Sequence, residues 1–340
     1  VTHYLSTGQR HCYDVSGAVV PCAGTGQDAD VSPGAPWPKP RFVVRGGEVE
    51  DRLTHLMWTR DASLSEWPMP WEEALEWVQS LNYRRHAGRS DWRLPNRREL
   101  RSLISHQTRD PALPEDSPFQ NVTLTWYWTS TGASRNPAYA WYLHLEGGRL
   151  FYGRRDEDHL VWPCRGRSPL LPATGEGFDR QGRPLPGLPA GRDGASRQGV
   201  HWPRPRFVPH DEAVMDRLTG LQWWRSADLA GRLTTWTQAL DAVRQIGGEG
   251  DNPASSWRLP TINELESLVD ARTCDPALPL PHPFTNVREA YWSSTTSAYE
   301  TDWSMALYMD KGAVGVGMKK GRYFSVWPVR GGAGSHRSCG

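Results

Sequence analysis

The 340-residue chain has no run of about 18 apolar residues, so no segment of it is long enough to span a membrane as a helix. Its formal net charge is only +1, which denies it the global field that would announce nucleic acid or a membrane surface as partner. Among 11 histidines there is no His-x-x-x-His or His/Cys ligand spacing, and no haem-attachment motif occurs. An acidic calcium-loop repeat is missing too, so no cofactor is expected and Ca²⁺ has no sequence support. Gly-x-Ser-x-Gly and glycine-rich phosphate loops are absent, which removes two common routes to nucleophilic and phosphoryl-transfer chemistry. Cysteine is sparse, at five residues. The chain opens on Val1 rather than Met, as after removal of a signal peptide or trimming.

What the chain does have is glycine (33), proline (28) and an excess of tryptophan (18), the composition of a turn-rich fold. It also has an internal repeat. Trp37-Pro-Lys-Pro-Arg-Phe42 returns as Trp202-Pro-Arg-Pro-Arg-Phe207, an offset of 165 residues. Asp51-Arg-Leu-Thr54 returns as Asp216-Arg-Leu-Thr219, Trp92-Arg-Leu-Pro95 as Trp257-Arg-Leu-Pro260, and Asp110-Pro-Ala-Leu-Pro114 as Asp275-Pro-Ala-Leu-Pro279. Two copies at so long a period mean two tandem globular domains rather than a solenoid. We place them at 1–167 and 174–333, with a linker at 168–173 and a tail at 334–340. Each opens with a Gly/Pro-rich arm (7–40 and 174–205) too poor in apolar residues to form a core, expected to wrap its domain.

The cysteines can be read through the repeat. Cys12 faces Gly177 and Cys22 faces Gly187, so both are missing together from the second copy while the surrounding Asp and Gly positions persist. Joint loss is what a Cys12–Cys22 disulfide predicts, and a disulfide implies an oxidising compartment: outside the cell, its surface, or the periplasm. Cys164, Cys274 and Cys339 remain, so one is left over or bonded to another chain; Cys274 with Cys339 is one pairing open to them.

Apolar positions at spacings of 3 and 4 (Trp71, Ala74, Leu75, Val78, Leu81) predict an amphipathic helix, repeated by Trp236, Ala239, Leu240 and Val243. Asn96-x-x-Glu99 and Thr261-x-x-Glu264 are capping boxes that open a second helix in each copy. Short strands follow: Trp126–Thr131, Tyr139–Leu145 and Arg149–Tyr152, with counterparts after Tyr291. Helices followed by antiparallel strands define an α+β plan.

The motif order Thr-Gly-Gln…Cys-Tyr-Asp, Gly24-Thr-Gly-Gln-Asp28, Pro-Arg-Phe, Asp-x-Leu-Thr-x-Leu-x-Trp, Trp-Arg-Leu-Pro-x-x-x-Glu-Leu, Tyr-Trp-[Ser/Thr]-Ser and Val-Trp-Pro-x-Arg-Gly resembles the Legionella collagen-like protein C-terminal domain family. The resemblance covers nearly the whole chain, twice. It implies a C-type-lectin-like fold, export, and a surface or adhesive role, with sulfated polysaccharide as the namesake's ligand. The same fold serves formylglycine generation in a distant branch. That reaction needs a close cysteine pair, for which Cys274 and Cys339 are poor candidates, so no enzyme is expected. No collagen-like stalk is present, and the second copy lacks the cysteine pair.

The copies differ most in charge. Residues 84–109 hold eight arginines against Asp91 and Glu99, whereas 249–274 hold Arg258 and Arg272 against Glu249, Asp251, Glu264, Glu266 and Asp270. Three readings compete. In the first, Arg84, Arg85, Arg89, Arg97, Arg98 and Arg101 grip an anionic polysaccharide or a surface protein. In the second, that basic patch meets the acidic patch (Glu249, Asp251, Glu264, Glu266) of another copy and propagates a filament or homo-oligomer. In the third, both are solvated faces. Shared tryptophans such as 58/223, 71/236, 128/292 and 162/327 read as core. Trp67, Trp77, Trp126 and Trp224 are unmatched in the other copy; with Tyr83 and Tyr139, they are candidates for exposed contact or interface anchors. Arg93/Arg258 and Glu99/Glu264 read as scaffold.

Overall fold

The computed structural model describes residues 2–179, 183–247 and 256–331. In chain order the first half contains β1 (Cys12–Tyr13), β2 (Val19–Val20), α1 (Asp28–Val31), β3 (Phe42–Arg45), β4 (Glu48–Asp51), β5 (Leu56–Thr59), α2 (Trp71–Tyr83), α3 (Arg97–Arg101), β6 (Trp126–Gly132), β7 (Tyr139–His144), β8 (Leu150–Arg154) and β9 (Cys164–Arg165). The second half repeats the plan, with the first hairpin reduced among the described residues to an antiparallel bridge between Phe178 and Pro184: α4 (Asp193–Ser196), β10 (Phe207–His210), β11 (Ala213–Asp216), β12 (Leu221–Trp224), α5 (Trp236–Ile246), α6 (Ile262–Ser267), β13 (Ala290–Thr296), β14 (Trp303–Tyr308), β15 (Ala313–Met318) and β16 (Val329–Arg330). The result is two tandem α+β domains built mostly on antiparallel sheets.

Each domain has a small sheet, β3-β4-β5-β9 or β10-β11-β12-β16, whose hairpin is fastened by one buried ion pair. Asp51 accepts both Nε and Nη2 of Arg41 (3.0 and 2.9 Å), plus the amide of Leu53 and the hydroxyl of Thr54. Asp216 does the same for Arg206, Leu218 and Thr219. The capping boxes of α3 and α6 are both formed, and α5 has a third, Thr235 with Gln238. Arg93 and Arg258 clamp the box glutamates bidentately, at 2.6 and 2.7 Å to Glu99 and 2.7 and 2.5 Å to Glu264. The matched tryptophans are core pillars. The indole N–H of Trp71 donates to Thr129 and that of Trp236 to Ser293, while Trp128 and Trp292 donate to the carbonyls of Met69 and Thr234.

The larger sheets do not stay separate. β13-β14-β15 joins β8-β7-β6 through the antiparallel pairing of Val314 with Leu150, giving one six-stranded sheet across both domains. Behind that seam lie the short helices α3 and α6. Arg97 donates to the carbonyl of Gly312, Arg98 to those of Val269 (2.7 Å) and Ser267 (3.3 Å), and Arg101 to Asn263 Oδ1 (2.5 Å). Glu266 lies 3.5 Å from Arg97 and 3.8 Å from Arg98. Guanidinium groups of the first domain thus bind carbonyl oxygens of the second, with Glu266 the carboxylate that ion-pairs with Arg97 and Arg98 across the seam.

The arms differ from expectation. Each is rooted on its own domain but docks its tip in the other. Arm one meets its own domain where His106 donates its amide to Thr7 O, then crosses. Its α1 packs on β13, where Thr295 Oγ1 donates to Asp28 (2.5 Å) and Gln9 accepts from the Thr296 amide (3.0 Å). Arm two crosses the other way: α4 packs on β6, Thr131 Oγ1 donates to Asp193 (2.9 Å), and the Gly132 amide donates to Glu176 (3.0 Å). A period in sequence cannot distinguish an arm that wraps its own domain from one exchanged with its twin, because the local sequence is the same.

Replacing Glu266 by Gln leaves Arg97 and Arg98 buried without that countercharge. The expected loss is on the order of 3–5 kcal/mol of unfolding free energy in urea titration, the scale of breaking a buried pair from one side. A loss under about 0.5 kcal/mol would show that the carbonyls alone satisfy the guanidinium groups.

Candidate functional site

The arginine run divides at residue 90. Arg97, Arg98 and Arg101 are buried (1%, 5% and 7% exposed), and burial pushes all three guanidinium groups down from their ordinary pKa, Arg97 to about 10. They hold the domain seam and are not available to a ligand, which corrects their reading as glycan contacts. Arg84, Arg85 and Arg89 are exposed and follow the end of α2 on one turn. Arg84 caps its own helix through Ser80 (3.0 Å to Oγ), and Arg89 approaches Glu48 at 3.5 Å. Arg85 adopts positive φ (54°), which turns the chain sharply out of the helix.

The acidic half of the charge argument also turns inward. Glu264 is fully buried in the cap with Arg258, and Glu266 is buried against Arg97 and Arg98, so neither offers an acidic surface to a second chain. The basic-to-acidic contact exists, but within one chain. Glu249 and Asp251 lie outside the described residues, as does Cys339. The Cys12–Cys22 disulfide is formed in arm one, and Cys164 and Cys274 have no disulfide partner among the described residues. Cys164 is buried 3.2 Å from Arg93 Nη1, and desolvation raises its pKa well above that of an ordinary thiol. Of the unmatched aromatics, Trp67 is 74% and Tyr83 92% exposed. Trp77, Trp126, Tyr139 and Trp224 are half-buried. Trp126 packs on Tyr142 and His144, Tyr139 on Tyr152, and Trp224 on Trp257, so ring neighbours already cover part of them.

The arm docks hold three carboxyl groups whose titration is shifted upward. Asp28 and Asp193 are buried carboxyls, each pushed up to about 6 by desolvation and partly restrained by two threonine hydroxyls: Thr295 and Thr7 for Asp28, Thr174 and Thr131 for Asp193. Glu176 rises to about 8 through desolvation and the neighbouring Asp193, against the pull of the Gly132 amide, Arg192 and Arg155. The equivalent dock on the second domain is built differently. Gln9 stands where Glu176 stands, and Gln27 where Arg192 stands, so a charged pair has been replaced by a neutral one. Arg155 (4.2 Å) and Arg192 (4.8 Å) lie over Trp71. Lys319 lies over Trp236 at 4.3 Å and donates to the carbonyls of Asp14 (3.1 Å) and Thr301 (2.9 Å); burial lowers its pKa to about 7.

The second domain also contains a cleft of about 790 Å³ that the sequence reading missed. One wall is the Trp202–Phe207 motif with Phe178 of arm two; the other is the loop Pro279-Leu-Pro-His-Pro283. Trp202 sits 4.8 Å from the Arg206 guanidinium and 5.4 Å from that of Arg272. Both arginines are internally neutralised, Arg206 by Asp216 and Arg272 by Asp270 (2.8 Å). The first domain keeps the tryptophan motif but has Glu115, Asp116 and Ser117 in place of Leu280, Pro281 and His282, and Arg10 ion-pairs with Glu115 at 2.7 Å. That three-residue difference was visible in the repeat; the wall it forms was not.

Among the described residues, no group of three or more His, Cys, Asp or Glu side chains could hold a metal ion, and no helix is long and apolar enough to cross a membrane. A disulfide in a loop-rich pair of repeated domains fits folding in an oxidising compartment. The profile of the Lcl C-terminal domain matches residues 47–165 and again 212–330. The chain therefore belongs to the Lcl C-terminal domain family, in two tandem copies. Both matches begin after the crossing arms. No curated protein matches the chain. Family and disulfide fit a secreted or surface protein.

The pH behaviour of the arm dock follows from Glu176. Its folded pKa is raised, so the folded state binds more protons than the unfolded one between about 4.5 and 8, and stability falls as pH rises through that window. Glu176→Gln, which copies the natural Gln9 arrangement, should match the wild type near pH 5. At pH 9 it should exceed it by roughly 2–4 kcal/mol in urea unfolding. A difference that stays flat from pH 5 to 9 would refute the assignment.

Proposed function

We propose that the protein is an exported, non-catalytic surface module that binds a sulfated or otherwise polyanionic glycan. The observation that supports this reading is the turn after α2. There, Arg84, Arg85 and Arg89 face solvent beside the 92%-exposed Tyr83, and of the three only Arg89 has a carboxylate near it among the described residues, the buried Glu48 at 3.5 Å. Guanidinium forks pair bidentately with sulfate and carboxylate, and an exposed aromatic ring adds a stacking face for a sugar. Presented on a helix end of a rigid two-domain body, such a turn needs little reordering to bind. The C-type-lectin-like arrangement implied by the family resemblance belongs to the same reading.

The filament alternative rested on basic-to-acidic pairing between chains. Arg97, Arg98, Glu264 and Glu266 have internal partners, so that pairing would have to come from other residues. The glycan reading is therefore favoured.

Arg84→Ala/Arg85→Ala/Arg89→Ala is expected to elute from immobilised heparin at clearly lower salt than the wild type, with affinity for a heparin oligosaccharide reduced about tenfold or more at low salt. Thermal stability should be unchanged within about 0.5 kcal/mol, as for surface sites. Wild-type retention by the triple variant, or no wild-type retention at all, would count against the proposal.

A further inference from the structure

The cleft of the second domain has a chemistry different from that of the arginine turn. We propose that it is a separate binding site, one per chain, for a small, largely apolar monoanion such as an aromatic or branched aliphatic carboxylate.

Size sets the first bound. About 790 Å³ lies within the range of small-molecule sites, enough for one or two rings with a short side arm. The walls set the second. Trp202, Phe178, Leu280 and the prolines of the facing loop offer hydrocarbon and aromatic surface, with few groups able to satisfy the many hydroxyls of a sugar. Prolines have no amide N–H, so this loop presents a wall poor in donors.

Charge sets the third. Arg206 is bound bidentately by Asp216 and also donates to Ser267 O (2.7 Å). Arg272 spends its donors on Asp270 and on the carbonyls of Asp179 (2.5 Å) and Phe178 (3.3 Å). His282 is held neutral, since burial lowers its pKa below the ordinary histidine value. What remains are His201, whose ring sits edge-on against Phe178, and Arg204, the permanent cation of the two, an exposed side chain in the lining with no ion-pair partner among the described residues. One uncompensated cation beside an apolar wall complements one negative charge on an apolar body. A polysulfated chain would require several.

The first domain supplies an internal control. Its matching loop carries Glu115 and Asp116, with Arg10 drawn across to Glu115. A carboxylate ligand there would meet Asp116 and the Arg10-paired Glu115 in place of Leu280 and Pro281. Binding is therefore confined to the second copy, where the repeat has exchanged an acidic rim for an apolar one.

The test uses the whole protein and 4-phenylbutyrate as the probe, with 4-phenylbutanamide as its uncharged isostere, in isothermal titration. The expected result is saturable binding at one equivalent per chain, with the amide about tenfold or more weaker because it lacks the charge that Arg204 meets. Leu280→Glu and Arg204→Glu, both at exposed positions, should each reduce affinity for the carboxylate about tenfold or more with unchanged thermal unfolding. Absence of saturable binding up to millimolar probe, equal affinity for acid and amide, two equivalents per chain, or wild-type affinity in both variants would each overturn the proposal. Heparin retention of Leu280→Glu should equal that of the wild type, so failure here and failure of the glycan reading are separately visible.

Discussion

Two buried aspartates hold this molecule in its shape. Asp28 and Asp193 sit at the tips of arms that cross between domains, and each is surrounded by threonine hydroxyls from two directions. A carboxyl withdrawn from water is costly unless its oxygens are bonded, so the chain reaches low free energy only with both arms in place. Because the exchange is reciprocal, neither domain completes its surface alone. The six-stranded sheet and the Arg97–Arg98–Glu266 seam then run through both domains.

That shared scaffold limits where the two copies diverge. Positions that fasten the hairpin, the caps and the tryptophan pillars recur with nearly the same geometry: Arg41–Asp51 with Arg206–Asp216, Arg93–Glu99 with Arg258–Glu264. Divergence gathers at rims and docks. Glu176 and Arg192 answer Gln9 and Gln27 at the arm docks, and Leu280 answers Glu115 at the cleft. The scaffold is duplicated, while the surfaces a ligand would meet are not. A protein that binds two unlike ligands, one through a guanidinium-rich turn and one in an apolar cleft, is the kind of molecule such duplication can produce.

Much of the local structure was legible in residues alone. Asn96-x-x-Glu99 and Thr261-x-x-Glu264 announced their helices because a capping box is a four-residue arrangement satisfied by its own side chains. The spacing of Trp71, Ala74, Leu75 and Val78 announced α2, which runs two residues beyond the expected Leu81, to Tyr83. The Cys12–Cys22 bridge was legible because a second copy had lost both partners at once. The site was less so. Arg97, Arg98 and Arg101 read as a basic surface because charge in a sequence normally marks a solvated face, and nothing local reveals that their acceptors are carbonyl oxygens 162 to 215 residues away.

By itself, then, the sequence determined the duplication, the short elements and their caps, the disulfide and the tryptophan core, all of which depend on neighbours within a few residues or on comparison of one copy with the other. Only the tertiary structure decided which arm serves which domain, which arginines are buried, and that a proline-rich loop closes a cleft against Trp202. Those outcomes depend on contacts between the copies or between distant loops. Two nearly equivalent partners offer the chain the same local chemistry, so the choice between them falls to packing of the whole.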